Sequence, residues 1–247
     1  MNAHGVASLP ELRRLYGLLP EQSLARRIIF GKLHRYHRAF IALSPFVVIA
    51  SANRDGAPDV SPRGDLPGFA AVPDDRTIVL PDRPGNKKLM TLTNVLENAV
   101  VSLIFFVPGR TESLRVNGRA RITTEPAVLA PLAAYGKPPL TALIVAVERA
   151  WLHCGRALIR SRLWEPGSYP APDALPSLGT MITEQIGDID AGEVEAKLAQ
   201  ANTVLLWDEP HRRQFEGVDL QRNVRYRSPA GELPAANRLP TRRAGDR

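Results

Sequence analysis

Two periodicities divide this chain, with the change at Pro45. Before it, apolar residues recur at helical spacing. Ser8-Leu9-Pro10-Glu11 reads as a capping box, in which Ser8 accepts from a first-turn N–H and Glu11 reaches back to the Ser8 N–H. Leu12, Leu15 and Tyr16 follow on one face, and Gly17 and Pro20 end that helix. A second helix is predicted from Gln22 to Phe40, carrying Leu24, Ile28, Ile29, Leu33, Tyr36 and Phe40. After Pro45 the pattern becomes that of strands. Phe46 to Ala50 is apolar and rich in β-branched residues, Asn53-Arg54-Asp55-Gly56 is a hairpin turn, and Pro58 to Pro62 returns. Asp74-Asp75 turns into a strand from Thr77 to Leu80, and Leu89, Leu92, Val95 and Leu96 make a helical stripe. Val100 to Val107 is a nearly continuous apolar strand that Pro108-Gly109 reverses.

Ser113 to Thr124 comes back as a long strand, with Leu114, Val116 and Ile122 alternating against Arg115, Asn117 and Arg121. Gly118 interrupts it and predicts a bulge or a close backbone approach. Thr141 to Arg149 is one more strand, and helices are predicted over Pro176 to Ile186 and Gly192 to Leu206. Antiparallel strands at this spacing, with few helices between them, predict a small barrel and not a parallel sheet.

Two turns stand out against this background. Ser61-Pro62-Arg63-Gly64-Asp65 and Leu80-Pro81-Asp82-Arg83-Pro84-Gly85-Asn86-Lys87-Lys88 each follow a strand and carry cations. The second is predicted to open a helix, with Asn86 as its N-cap and Lys87 and Lys88 in its first turn. Helix starts and cationic turns attract phosphate, so Arg63, Arg83, Lys87 and Lys88 form a candidate anion site, with a solvated basic turn as the bland alternative. The spacing matches neither a dinucleotide fingerprint nor a P-loop. Arg115 and Asn117 share one strand face and could meet the polar edge of a heterocycle, or simply face solvent. Arg156 and Arg160 fall on one helical face, and Trp164 offers a flat apolar surface to a ring or to the core. His153-Cys154 lacks the further ligands a metal needs, since His4, His34, His37 and His211 complete no recognisable set. No nucleophile or acid/base group emerges, so any chemistry is expected to belong to a cofactor.

Composition narrows the class. The chain has 247 residues, 44% of them hydrophobic, and no apolar run near the ~18 residues a membrane span needs. A single cysteine excludes an internal disulfide, and a soluble cytoplasmic protein is expected. The formal net charge is +7. Its arginines crowd the end of the chain, from Arg212 to Arg247, among Pro229, Pro234 and Pro240. That segment is expected to be a solvated tail; an arm for nucleic acid is the lesser reading.

The motifs carry a resemblance as a group. Phe40 to Phe46, Asp59 to Asp65, Pro81 to Asn86, Leu114-Arg115-Val116-Asn117-Gly118-Arg119-Ala120 and His153-Cys154 with Arg160-Ser161-Arg162-Leu163-Trp164 stand in the order found in a known family. The chain resembles the pyridoxamine 5′-phosphate oxidase-related, FMN-binding split β-barrel flavoproteins. The resemblance runs from about Phe40 to Leu206. It implies a mainly β (β+α) fold, a split barrel of antiparallel strands with peripheral helices, and a homodimer holding FMN between subunits. It implies that Arg63, Arg83, Asn86, Lys87 and Lys88 hold the ribityl phosphate, with Ser61 among the cofactor-binding residues. Ser113, Arg115 and Asn117 would then approach the flavin ring, and Trp164 would close the cleft from the partner chain. Authentic pyridoxamine phosphate oxidases carry a C-terminal Trp-Arg and Arg-Leu-His-Asp-Arg segment for the substrate phosphate, and Gln214 to Arg227 has no such pattern.

These readings predict a helical extension over residues 1–40, an FMN-binding domain over 41–207 and a basic tail over 208–247. The expected function is that of an FMN-dependent oxidoreductase acting on a small molecule. Rival readings keep the barrel as a flavin or haem sensor without turnover, or give it deazaflavin F420 in place of FMN.

Overall fold

The structure, a computed structural model, describes residues 5–18, 20–83, 85, 87–134 and 136–205. The basic tail and Asn86 lie outside them. The described chain forms two compact units, one running to Ile159 and the other from Arg160 onward.

The first unit opens with α1 (Leu9–Tyr16). Ser8 Oγ accepts from the Glu11 N–H at 3.3 Å, while Glu11 Oε2 takes the Ala7 N–H at 3.1 Å, one residue earlier than the capping box predicts. The helix predicted from Gln22 to Phe40 is broken in two, α2 (Leu24–Arg27) and α3 (Arg35–Leu43). The cause is tertiary. Phe30 exchanges both of its backbone hydrogen bonds with Ala150, at 3.0 and 2.8 Å, and the Leu33 N–H donates to the Asp75 carbonyl at 2.7 Å. A backbone bonded outward in this way cannot continue a helical ladder, and Gly31 between them weakens it further.

Seven strands follow: β1 (Phe46–Ala52), β2 (Pro58–Gly64), β3 (Ala71–Asp74), β4 (Thr77–Asp82), β5 (Val100–Phe106), β6 (Ser113–Thr123) and β7 (Thr141–His153). Helix α4 (Met90–Glu97) stands between β4 and β5, and the single turn α5 (Pro126–Leu129) between β6 and β7. All pairings are antiparallel, in the order β2-β1-β5-β6-β7-β4-β3. The outer strands β2 and β3 do not pair with each other, so the barrel is split. Gly56 takes φ 85° in the β1–β2 turn, the conformation for which glycine is favoured there.

The core lies inside the curl. Val47, Ile49, Leu80, Leu103, Phe105, Leu114, Val116 and Val145 fill it, with Ile41 from α3 and Val95 from α4. Gly118 sits where the β6–β7 register shifts. A Cβ there would be driven into the backbone of Ala146, so only glycine fits. The second unit, described by itself, contains α7 (Leu178–Ile186) and α8 (Ala191–Leu205), and α6 (Arg156–Ser161) spans the boundary. The Gly179 N–H donates to Glu195 Oε1 at 2.9 Å, which ties α7 to α8. Among the described residues no helix is long and apolar enough to cross a membrane.

Candidate functional site

The two cationic turns meet at the mouth of the split. Ser61 and Arg63 stand opposite Ile49 and Val47, so they share the core-facing side of the sheet. Arg63 Nη1 donates to Ser61 Oγ at 2.6 Å and to the Pro62 carbonyl at 2.9 Å, and Nη2 lies 3.4 Å from Asp82 Oδ1. Reciprocally, Arg83 Nε donates to Asp65 Oδ2 at 2.7 Å. The Asp65 side chain is only 4% exposed, and its Oδ1 takes the Leu66 N–H at 2.8 Å. Strands β2 and β4 share no ladder, so these crossed ion pairs form a clasp between strand ends that the sheet leaves unjoined.

The clasp changes the charge accounting. Two aspartates offset Arg63 and Arg83, and Lys87 and Lys88 stand exposed on the same turn. Two cations match the roughly −1.5 to −2 of a phosphate monoester near neutral pH. The expectation that the lysines open the helix is corrected here. Helix α4 begins at Met90 with Leu89 as its N-cap, and both Lys87 and Leu89 are left-handed, at φ 60° and 56°. Such geometry at non-glycine residues costs on the order of 1–3 kcal/mol and concentrates at functional sites. It lifts the lysines out of the helical turn, so they do not oppose its dipole. Within the first turn of α4, the Thr91 hydroxyl is buried, 2% exposed, and has no partner among the described residues. Three residues further on, Asn94 donates to Ser51 Oγ at 3.0 Å.

The second group lies on the other face of the sheet. Arg115 and Asn117 project outward from β6, across from Ile104 and Ser102 on β5 and from Trp151 and Arg149 on β7. With Val48 and Ala50 of β1, they line an open groove of about 310 Å³. Ser102 Oγ lies 2.8 Å from Asn117 Oδ1 and donates to it, which leaves the Asn117 amide NH₂ as a donor. Ser113, on the same strand, is buried opposite His153. Burial, and after it the charge of Arg115, holds the His153 pKa below the usual histidine value.

The sequence-predicted residues therefore fall into three places. Ser61, Arg63, Arg83, Lys87 and Lys88 belong to the split, Ser113, Arg115 and Asn117 to β6, and Trp164 to the second unit. Sequence reasoning passed over Asp65 and Asp82 as partners of the arginines, because nothing in a turn motif shows which carboxylate crosses to which guanidinium. It also passed over Trp151. The strand is predicted to stop at Arg149, but it runs on through Ala150-Trp151-Leu152 to His153. Among the described residues no cluster of three or more His, Cys, Asp or Glu could hold a metal.

Comparison with known proteins follows the fold. Similar solved structures include HupZ from Group A Streptococcus, at 20% identity over 49% of this chain and 93% of that one, with a TM-score of 0.41. A putative pyridoxamine 5′-phosphate oxidase from Lactobacillus delbrueckii is also 20% identical, over 49% and 95%, with a TM-score of 0.39. An FMN-binding protein from Syntrophomonas wolfei is 13% identical, over 47% and 80%, with a TM-score of 0.35. No curated protein matches the chain. Residues 33–154 match the sequence model of pyridoxamine 5′-phosphate oxidase, a span that includes all seven strands. Through residues 33–154 the chain is thus similar to the pyridoxamine 5′-phosphate oxidase family.

Proposed function

We propose that two copies of this chain bind FMN between them and act as an FMN-dependent oxidoreductase on a small molecule. The observation that carries this reading is the division of the site between the two faces of one sheet. The cationic pole sits on the core-facing side of β2, whereas the Arg115–Asn117 groove lies on the outer side of β6. A groove of about 310 Å³ stands at the low end of ligand sites, which run from roughly 300 to 1,000 Å³. That is room for a ring system more than for a whole nucleotide. The phosphate of a ligand whose ring lies in one copy's groove is then met by the other copy's pole.

The residues suit the group. Lys87 and Lys88 offer exposed cations to a phosphate, and the Thr91 hydroxyl, unpartnered among the described residues, and the first-turn N–H groups of α4 supply donors beside them. Arg63 and Arg83, fixed by the clasp, add directed guanidinium donors. On the other face, Arg115 and the Asn117 amide donate to the acceptor edge of the ring, and Trp151 provides a flat apolar side. When bound, the isoalloxazine supplies the redox chemistry by accepting hydride; the protein binds and orients it.

The test is a titration of purified protein with FMN, riboflavin and F420, followed by absorbance and by molar mass in solution. The reading expects FMN to bind at one per chain in a dimer, and riboflavin to bind far more weakly. Equal affinity for FMN and riboflavin, or FMN held by a monomer, refutes it. Preference for F420, or a Soret band after haem addition, gives the cofactor role to a rival reading.

A further inference from the structure

The outer face of β6 and β7 carries more positive charge than a flavin ring uses. Arg115, Arg119 and Arg121 alternate along β6 on that face, and Arg149 stands beside Asn117 on β7. All four are exposed. Among the described residues none of them has an ion pair. Acidic residues close to them in the fold are few. Glu148 is exposed at the bulge of β7, Glu125 is exposed beyond the end of β6, and Glu112 already pairs with Arg110 at 3.5 Å. Burial, and after it the charge of Arg115, lowers the pKa of neighbouring His153.

Such a face cannot be its own electrostatic complement. If a second copy docks on it about a two-fold axis, the same guanidiniums arrive from both sides. The apolar residues Val48, Ala50, Ile104 and Trp151 favour the contact, and the arginines oppose it. An anion placed between them reverses the sign of the second contribution.

We propose that self-association of this chain through the β1-β5-β6-β7 face is coupled to anion binding, so that the unliganded dimer is held weak by its own arginines and a phosphate-bearing ligand tightens it. The proposal rests on the reading that two copies share the site, and it adds the direction of linkage. Whatever binds the paired state better than the single chain must also drive pairing, by the same factor. The consequence is an unusual salt dependence. Interfaces held by ion pairs weaken as salt rises; this one tightens, because salt screens a repulsion.

Sedimentation equilibrium of the flavin-free protein tests this. Raising NaCl from about 0.1 M to about 1 M shortens the screening length from about 10 Å to about 3 Å. The expected result is a dimer dissociation constant lowered by about tenfold. Inorganic pyrophosphate at matched ionic strength should lower it further, and FMN further still. The surface variant Arg119→Gln plus Arg121→Gln should dimerise tightly at low salt already, with its salt dependence largely gone, which separates screening from general salting-out. A dimer that weakens with salt overturns the proposal. So does one indifferent to pyrophosphate, a chain that stays monomeric throughout, or a variant that behaves as the parent. Flavin absorbance is read in parallel. FMN bound with no effect of anions on assembly sinks the linkage alone. Assembly driven by salt and pyrophosphate without FMN binding sinks the flavin reading alone.

Discussion

The crossed pairs Arg63–Asp82 and Arg83–Asp65 make a quantitative claim about the split. Asp65→Asn keeps the shape and leaves an acceptor for the Leu66 N–H, but removes the charge facing Arg83. That guanidinium is 21% exposed, so most of it stays out of water beside a neutral amide. Removing one partner of a fully buried pair costs about 3–5 kcal/mol, and a charge-assisted hydrogen bond contributes about 1.5–3. Partial hydration of Arg83 brings the expected loss to about 2 kcal/mol. Asp82→Asn should cost less, about 1 kcal/mol. Its pair is longer, at 3.4 Å, and Arg63 keeps Ser61 and Pro62 as acceptors. The two losses should not add. Once one pair is gone the strand ends can part, and the second pair no longer contributes in full, so the double variant should lose nearer 2 than 3 kcal/mol. Urea unfolding followed by the circular dichroism of the sheet measures this, and a slope near 2 kcal/mol/M turns 2 kcal/mol into a midpoint shift of about 1 M. An Asp65→Asn protein within about 0.5 kcal/mol of the parent, or strict additivity of the two changes, would show that the pairs decorate the split without holding it.

Three further outcomes follow from particular residues. Lys87→Ala plus Lys88→Ala should weaken FMN by about 2–3 kcal/mol, the low end for two charged contacts because both lysines are exposed, and should leave riboflavin binding nearly unchanged in fluorescence titrations. His37 is 3% exposed and its Nδ1 accepts the His34 N–H at 3.1 Å; burial, and after it the charge of His34, lowers its pKa from 6.5 to about 4. The folded state therefore resists a proton that the unfolded chain accepts, so this stability is full above about pH 6.5 and is lost as pH falls toward 4, by about 3 kcal/mol in all; His37→Gln should flatten that part of the pH–stability curve relative to the parent. Gly179→Ala should destabilise the second unit, since the new Cβ would crowd the Glu195 side chain that caps α7, and faster hydrogen exchange over α7 and α8 reads it out.

How much was legible in the sequence depended on whether the deciding contact was local. Strands β1, β2, β4, β5 and β6 show themselves because alternation and turn chemistry are properties of neighbouring residues; Gly118 marks the place of the β6–β7 register shift for the same reason. Strand β3 escaped, having four residues with Pro73 among them. The break between α2 and α3 escaped because it is imposed from 120 positions away, by Ala150 bonding to Phe30. The site shows the same division. Its cations were visible as residue types, but the left-handed Lys87 and Leu89 carry no glycine or asparagine signal. That Asp65 meets Arg83 depends on how far the sheet curls.

One residue settles which side chains the outer face presents. Between the pairs Asn117–Arg149 and Gly118–Val147, Glu148 has no partner on β6. It is the extra residue of a bulge, and side chains alternate with a period of two. Counting back from Ala146, which faces outward opposite Arg119, a regular strand would turn Glu148 and Ala150 outward and Arg149 and Trp151 into the core. The bulge reverses this: Ala150 is buried, where it receives Phe30, while Arg149 is exposed and Trp151 lines the groove. Deleting Glu148 should therefore act far beyond the loss of one exposed carboxylate. Either β7 keeps its pairing with Ser113–Asn117 and loses register toward Thr141, or it keeps the far register and drives Arg149 toward apolar neighbours. Both cost several kcal/mol, as burying an unpaired charge or breaking a ladder does. Glu148→Ala retains the bulge and should be nearly silent in a thermal melt. A deletion that melts with the parent would mean that the register of β7 is not fixed by this insertion, and the outward placement of Trp151 would need another cause.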